Sequence, residues 1–373
     1  MEGWRDVDRT RADAAPQSLP LVDCPFVDAR ARGRAHGESL RPVIREKIGR
    51  WRSAIEEDYG EAPTSFVARL LAHTRFDAAI ARHTPELADE VRGIAEGAEI
   101  DPSDAYALQL MDEEWWFGRA AHDGHCSSAG FAPAGGEATV LGQTMDLPAW
   151  HDGAQALLRL RNADGSQTLV FTSAGMIGLM GVAGHNLGLC VNTLGGLRSR
   201  LDGLPVAYVV RGALATRNTT AAARFLFEVP HASGQNYTIA DRRTLRAFEC
   251  SAAGAVELDM KDGRLLHAND PMASADWRTG PVTSGNSAAR LAALRGECEG
   301  SSGPRAELLK AALCSRREGA AISIRPAAGA KSSSLMSIGG VVYEIGDAIR
   351  IWVSAGPPSL ESWRESAIDG PAE

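Results

Sequence analysis

The sequence predicts an α+β fold: largely antiparallel sheets with helices packed on them in layers, after an N-terminal segment that is mostly helical. Three observations predict it. The elements run helices, strands, helices, strands along the chain. Many strands follow one another through short turns, which is the signature of hairpins rather than of parallel crossover units. At about residue 122 the chain changes from charged, helix-periodic sequence to short Gly-punctuated runs of β character.

Arg41 to Ile55 is charged and periodic, and Val43, Ile44, Ile48 and Trp51 fall on one helical face. Thr84-Pro85-Glu86 reads as a helix start, with an N-cap Thr and a Pro in the first turn. Leu87, Val91, Ile94 and Ala98 make that helix's apolar stripe. Asp101-Pro102 opens the next helix in the same way, and it runs through Leu108 and Met111 towards Trp115 and Trp116. The cluster Trp115, Trp116 and Phe117 is read as packing between helix and sheet, with a share in an acyl pocket as the other reading. Ala138 to Thr144 is strand-like. Ala156–Leu160 and Leu169–Thr172 form a hairpin around Asn162-Ala163-Asp164-Gly165, because Asp-Gly is a strong turn signal. Leu187–Asn192 is a further strand. Helices are expected at Pro205–Thr216, Thr220–Phe227, Ser287–Leu294 and Arg305–Leu313. Strands are expected at Tyr237–Ala240, Leu245–Glu249, Leu335–Ile345 and Ile349–Ser354. Ala355-Gly356-Pro357-Pro358 stops the last strand, and the polar tail to Glu373 is expected to be loose.

The 373 residues suffice for one large domain or two modest ones with a substantial core. Hydrophobic residues make up 44% and charged residues 23%, an ordinary soluble composition. The net charge of -8 argues against nucleic acid, whose phosphates need a basic face, and against anionic membranes. No apolar run reaches the roughly 18 residues of a membrane span. The start, MEGWRDVDRTRADAAPQSLP, has no apolar stretch of the secretory kind, so a cytoplasmic location is expected. The six cysteines are scattered without a C-x-x-C pair. No disulfide framework is expected, and most should be small buried apolar residues. No cofactor is expected, and self-association is left open.

Cys126 stands apart. It lies in Asp123-Gly124-His125-Cys126-Ser127-Ser128, among Gly and Ser, just ahead of a predicted strand. About 20 residues on, Gly142-Gln143-Thr144-Met145-Asp146 puts a carboxylate at a strand end, where it can orient an amine, bind a cationic group or cap a turn. Asn192 ends the otherwise apolar run Gly188-Leu189-Cys190-Val191-Asn192. Its amide must find a partner there, either an oxyanion or a loop carbonyl. His267-Ala268-Asn269-Asp270 is a third such cluster. A metal site from His122, Asp123, His125 and Cys126 is disfavoured, because no second ligand pair has the usual spacing. A papain-like arrangement would start a helix at the cysteine, and strand-like sequence follows instead.

These residues resemble the acyl-coenzyme A:6-aminopenicillanic acid acyltransferase (isopenicillin N acyltransferase-like) family of the N-terminal-nucleophile (Ntn) hydrolase superfamily. Arg32-Gly33-Arg34-Ala35-His36-Gly37 is similar to the family's Gly-x-x-His-Gly segment. D-G-H-C-S-S is similar to its nucleophile segment, G-Q-T-M-D to its G-Q-N-x-D, and H-A-N-D to its H-T-N-H. Ser173-Ala174-Gly175-Met176-Ile177-Gly178 with the G-H-N-L-G-L-C-V-N run is similar to its central block, and Trp352 to Pro358 to its closing strand.

The resemblance implies a four-layer αββα Ntn-hydrolase sandwich made as an inactive precursor. It implies cleavage between His125 and Cys126, giving an α chain of residues 1–125 and a β chain of residues 126–373 that begins with the nucleophile. A thiol, with a pKa near 8.5, needs a base, and a free α-amino group of pKa about 7.7–8.0 on the same residue can serve. The implied substrate is a small amide or acyl thioester, hydrolysed or transferred to an amine. By motif, Asp146 orients the amino group or the substrate, and Asn192 and Asn269 hold the oxyanion. Lys331 stands near where relatives carry an Arg, and Met145 sits beside Asp146 as a substrate contact. Two residues depart from the family pattern: His125 replaces the commoner Gly, and Asp270 replaces the second His of H-T-N-H. Penicillin chemistry is therefore not implied. The alternative is an uncut relative that binds a small molecule without turning it over.

Overall fold

Short strand β1 (Leu21–Cys24) is followed by seven helices: α1 (Ala29–Ser39), α2 (Arg41–Tyr59), α3 (Pro63–His73), α4 (Phe76–His83), α5 (Pro85–Ala98), α6 (Pro102–Ala107) and α7 (Met111–Gly118). The computed structural model describes residues 19–118, 125–281, 285–299, 303–327 and 329–370. The periodic positions do what periodicity asks: Ile44, Ile48 and Trp51 of α2 and Leu87, Val91, Ile94 and Ala98 of α5 are buried. Asp101 caps α6 by accepting the Ser103 N–H at 2.7 Å. Thr84 precedes Pro85 as expected, yet its hydroxyl caps nothing and has no partner. Its backbone, at φ -148 and ψ 52, lies off the extended geometry from which a cap reaches back.

α1 and α5 cross backbone to backbone. A Cβ on Gly33 would sit 1.9 Å from the Glu90 carbonyl oxygen, and one on Gly93 would sit 2.1 Å from that of Arg30. Glycine is required here by the approach, not by its torsions. Beside the crossing, Arg32 and Arg211 both grip the buried Glu90 at 2.6 to 2.9 Å. Burial alone would raise that carboxyl, but the two guanidiniums outweigh it and hold it at about 2. Gly33→Ala is expected to force the helices apart and cost about 3 kcal/mol. Chemical denaturation would read this as a lower midpoint at an unchanged slope.

The strands follow as β2 (Ser127–Phe131), β3 (Thr139–Pro148), β4 (Gln155–Arg161), β5 (Gln167–Ser173), β6 (Met180–Ala183) and β7 (Leu187–Thr193). Then come α8 (Val206–Leu214), α9 (Thr219–Glu228), β8 (Gln235–Ala240), β9 (Leu245–Ser251), β10 (Gly254–Glu257) and β11 (Arg264–His267). The chain continues with α10 (Ser287–Glu299), α11 (Arg305–Leu313), β12 (Leu335–Ile345), β13 (Ile349–Ala355) and β14 (Arg364–Ser366). One sheet has the order β1-β4-β5-β6-β7-β8-β9-β10 and the other β11-β2-β3-β12-β13-β14. Every pairing is antiparallel except β1 with β4.

The sheets face each other. A Cβ on Gly188 of β7 would meet Ile345 and Tyr343 of β12. Gln143 of β3 reaches across, accepting the Val191 N–H at 2.6 Å and donating to the Val191 carbonyl at 3.0 Å. α8 and α9 cover the outer face of the larger sheet, and α10 and α11 that of the smaller. The result is the four-layer αββα order. The inner core is continuous with the N-terminal helices, joining Trp51, Ile94 and Trp115 to Leu141, Phe171 and Val341. The segments before and after residue 126 thus share one core. Trp115 lies in it, and Trp116 and Phe117 pack on its rim, as the helix-packing reading expected.

The Asn162–Gly165 hairpin forms as expected, with Gly165 at φ +83. Two expectations need correction. β3 runs to Pro148, so Asp146 lies inside a strand and not beyond its end. The tail is not loose as far as residue 370: β14 pairs with β13, and Gln167 donates to Asp369 at 2.7 Å. Pairing with β12, far along the chain, extends β3, and the tail is anchored by backbone and amide hydrogen bonds that hydropathy does not register. No helix among the described residues is long and apolar enough to cross a membrane.

Candidate active site

Cys126 is the residue before β2. Hairpin register opposes Ser127 to Thr144, which brings Cys126 level with Met145. The Cys126 Sγ lies 3.9 Å from the Met145 Sδ and receives the Asp146 N–H at 3.5 Å. Side chains alternate along the strand. Ser128 therefore turns with Cys126 towards β7, where its hydroxyl donates to Asn192 Oδ1 at 2.7 Å. Ser127 turns the other way, towards α10.

Asn192 is fully buried at the end of β7. Its Oδ1 also accepts from Asn236 at 3.1 Å, and its Nδ2 has no partner among the described residues, so a buried donor is free beside β2. Asp146 is buried and accepts the Ser337 hydroxyl at 2.5 Å across the β3–β12 pairing, leaving its Oδ2 without a partner. Asn269 is placed differently from the expectation. Its Nδ2 is spent on the Thr193 carbonyl at 2.9 Å, and its Oδ1 accepts from Arg290 at 2.8 Å. It therefore reaches the nucleophile segment through Arg290. The loop that carries it is tied down by Glu249, which accepts the His267 ring at 2.9 Å and the N–H groups of Met272, Ala273 and Ser274.

Arg290 is the residue that sequence reasoning missed. It is 1% exposed, on α10, and its guanidinium donates to the carbonyls of His125 (2.5 Å) and Cys126 (2.9 Å) and to the Ser127 hydroxyl (3.0 Å). Its Nε donates to Asn286 at 2.8 Å. Lys331, expected as a substrate contact near where relatives carry an Arg, is exposed in the turn before β12. A signal for Arg290 existed: Ser287, Arg290, Leu294 and Cys298 recur at helical spacing and are all buried, so a charge sits on the inward stripe. Met145, expected as a substrate contact, lies against the thiol. His125 is half-buried, and His122 and Asp123 lie outside the described residues.

The N-terminal helices shape the floor. His36 accepts the Gly175 N–H at 3.1 Å. Gln109 donates to the Gly175 carbonyl and accepts the Ile177 N–H, each at 2.8 Å. The loop from Ser173 to Gly178 is thereby held against the inner core. Both glycine-segment motifs noted in the sequence turn out to be structural supports of the site.

Burial keeps the thiol protonated. Burial pushes Cys126 up to about 12, with the Asp146 carboxylate adding to the rise and the Asp146 N–H opposing it. Burial also pushes Asp146 up to about 7, against the Ser337 hydrogen bond and the charge of Arg290. A carboxyl raised in the folded state is fully accommodated below its unfolded value near 4, and costs stability progressively as pH rises through that value towards 7. Asp146→Asn is therefore expected to be more stable than the wild type at pH 8 by a few kcal/mol, with no gain near pH 4, since each tenfold change in proton affinity is worth about 1.4 kcal/mol. Thermal unfolding at the two pH values measures the difference, and an equal effect at both would exclude a buried charge at Asp146.

A sequence model of the family described as acyl-coenzyme A:6-aminopenicillanic acid acyl-transferase matches residues 134–294. This span, less than half of the chain, takes in Asp146, Asn192, Asn269 and Arg290 and begins after Cys126; within it the expected family resemblance holds. No curated protein matches the sequence. Among solved structures, a mutant conjugated bile acid hydrolase from Clostridium perfringens aligns at TM-score 0.38 and 11% identity, over 65% of this chain and 92% of that one. Penicillin V acylase from Agrobacterium tumefaciens aligns at 0.33 and 10%, over 62% and 83%.

Proposed function

We propose that this chain is a self-processing N-terminal-cysteine enzyme that hydrolyses amide bonds of small N-acyl compounds or short peptides, or transfers their acyl groups, through a Cys126 acyl-enzyme. The observation that carries the reading is the grip of buried Arg290 on the His125 carbonyl, at 2.5 Å, next to the thiol. A cation fixed on a carbonyl oxygen stabilises the oxyanion that forms when a nucleophile adds to that carbon.

In processing, Cys126 sulfur adds to the His125 carbonyl carbon. The bond to the Cys126 nitrogen breaks, and that nitrogen takes a proton. Water then hydrolyses the thioester to a His125 carboxylate, a free thiol and a free α-amino group. The new amine supplies the base that the uncut chain lacks. In turnover the same sulfur adds to the substrate carbonyl and expels its amine or thiol, and the acyl group passes to water or to an acceptor amine. Asn192 Nδ2 donates to the oxyanion, Asp146 orients the α-amino group, and Asn269 steadies Arg290. The shared core keeps the two chains together after the cut.

The rival reading, an uncut relative that only binds, draws on the protonated thiol and the tight space around it. N-terminal sequencing and intact mass of the purified protein separate the two. A large fragment beginning at Cys126, and a mass adduct on it after reaction with an acyl thioester, are expected. A single chain that takes no adduct would leave the binding reading standing.

A further inference from the structure

Beside the Cys126 thiol the two sheets and α7 enclose a cavity of about 20 Å³, close to the space of one water molecule. Its lining is apolar apart from Asp112 of α7, Gln235 and Thr193, which are hydrogen-bonded to one another through the carboxyl. Asp112 is buried and accepts from neutral donors, the Thr193 hydroxyl at 2.8 Å and the Gln235 amide, with no ion-pair partner among the described residues. Gln235 is fully buried; its Nε2 lies 3.3 Å from the Ser233 hydroxyl, and its Oε1 has no partner. A carboxyl group and an amide whose oxygen has no partner thus line the same small, otherwise apolar cavity as the Cys126 thiol.

We infer that Asp112 and Gln235 form the polar end of the acyl-binding slot, and that the slot selects acyl groups carrying an ammonium. The inference rests on Cys126 being the nucleophile, because the group that stays on sulfur must occupy space contiguous with it. A carboxylate held only by neutral donors, beside an amide oxygen with no partner, is the complement of an ammonium, which donates to both and balances the charge. A methyl in the same place would leave the charge unbalanced and the amide oxygen unpaired. Met111 and Met145 line the slot, and their unbranched side chains can give way to an acyl chain that the present volume would not admit.

The test has a binding arm that needs no turnover. Titration of the wild-type protein with n-butylammonium and with n-butanol, followed by thermal unfolding, is expected to show stabilisation by the ammonium alone. The shift is expected to vanish in Asp112→Asn and, as an independent variant, in Gln235→Leu. Equal responses to the two probes, or an ammonium shift that survives Asp112→Asn, would overturn the inference. In the catalytic arm, acyl p-nitroanilides of equal chain length, ending in an ammonium or a methyl, are compared by kcat/KM. A preference for the ammonium member of at least about tenfold, lost in Asp112→Asn, is expected. Equal turnover of the pair would overturn the inference. Ammonium binding with turnover of neither anilide would uphold the slot and fault the nucleophile assignment instead.

Discussion

Cys126→Ala is expected to remain one uncut chain and to lose turnover by on the order of 10⁵-fold or more, as removal of a covalent nucleophile does. The fold should survive. The thiol is 4% exposed in the inner core, so deleting one sulfur leaves a small void costing about 1 kcal/mol. Among the described residues the thiol's hydrogen-bond contacts are long ones, to the Asp146 backbone groups and the Met145 sulfur. A cooperative unfolding transition within a few degrees of wild type, with no fragment by intact mass, is the expected pair of results. A wild type that is cut while Cys126→Ala is cut equally would take the nucleophile away from Cys126. Cys126→Ser keeps the contacts with a poorer nucleophile, and slow accumulation of the same fragments is expected from it.

Arg290→Met should be the most damaging substitution outside the nucleophile. It leaves the carbonyls of His125 and Cys126, the Ser127 hydroxyl and Asn269 Oδ1 buried with a partner removed. Several orphaned acceptors cost about 3 to 5 kcal/mol together, even though methionine restores much of the volume. The rate effect is separate. Losing one preorganised donor to an oxyanion costs about 10² to 10³-fold. Processing, followed by mass against time on the folded fraction, should slow by at least that much. Arg290→Lys restores the charge but not the planar fork that reaches five oxygens at once, so partial recovery is expected. Processing at the wild-type rate in a folded Arg290→Met protein would show that the guanidinium only props the segment.

Much of this protein is legible in the chain itself. Local periodicity and turn chemistry fix the long helices, the Asn162–Gly165 hairpin and the antiparallel character of the sheets, since each depends on residues close in sequence. Cys126, Asp146 and Asn192 are singled out as polar or nucleophilic residues beside apolar strand sequence, and the fold buries all three. The short strands β1, β6, β10, β11 and β14 could not be read, because three or four residues carry too little pattern, and the partners of β1 and β11 also lie far along the chain. By position in a motif, Lys331 reads as a substrate contact where relatives carry an Arg. Burial chose Arg290 instead, since only α10, laid on the outer face of the smaller sheet, carries a guanidinium to the His125 carbonyl. Likewise Asp112 reads in sequence as one acid in a charged helix turn. Packing of α7 against β7 and β8 makes it a buried carboxyl group facing the thiol's cavity. Sequence set which groups were available, because residue type and local spacing are local properties. Tertiary structure decided which were desolvated together, because burial depends on every layer of the fold at once.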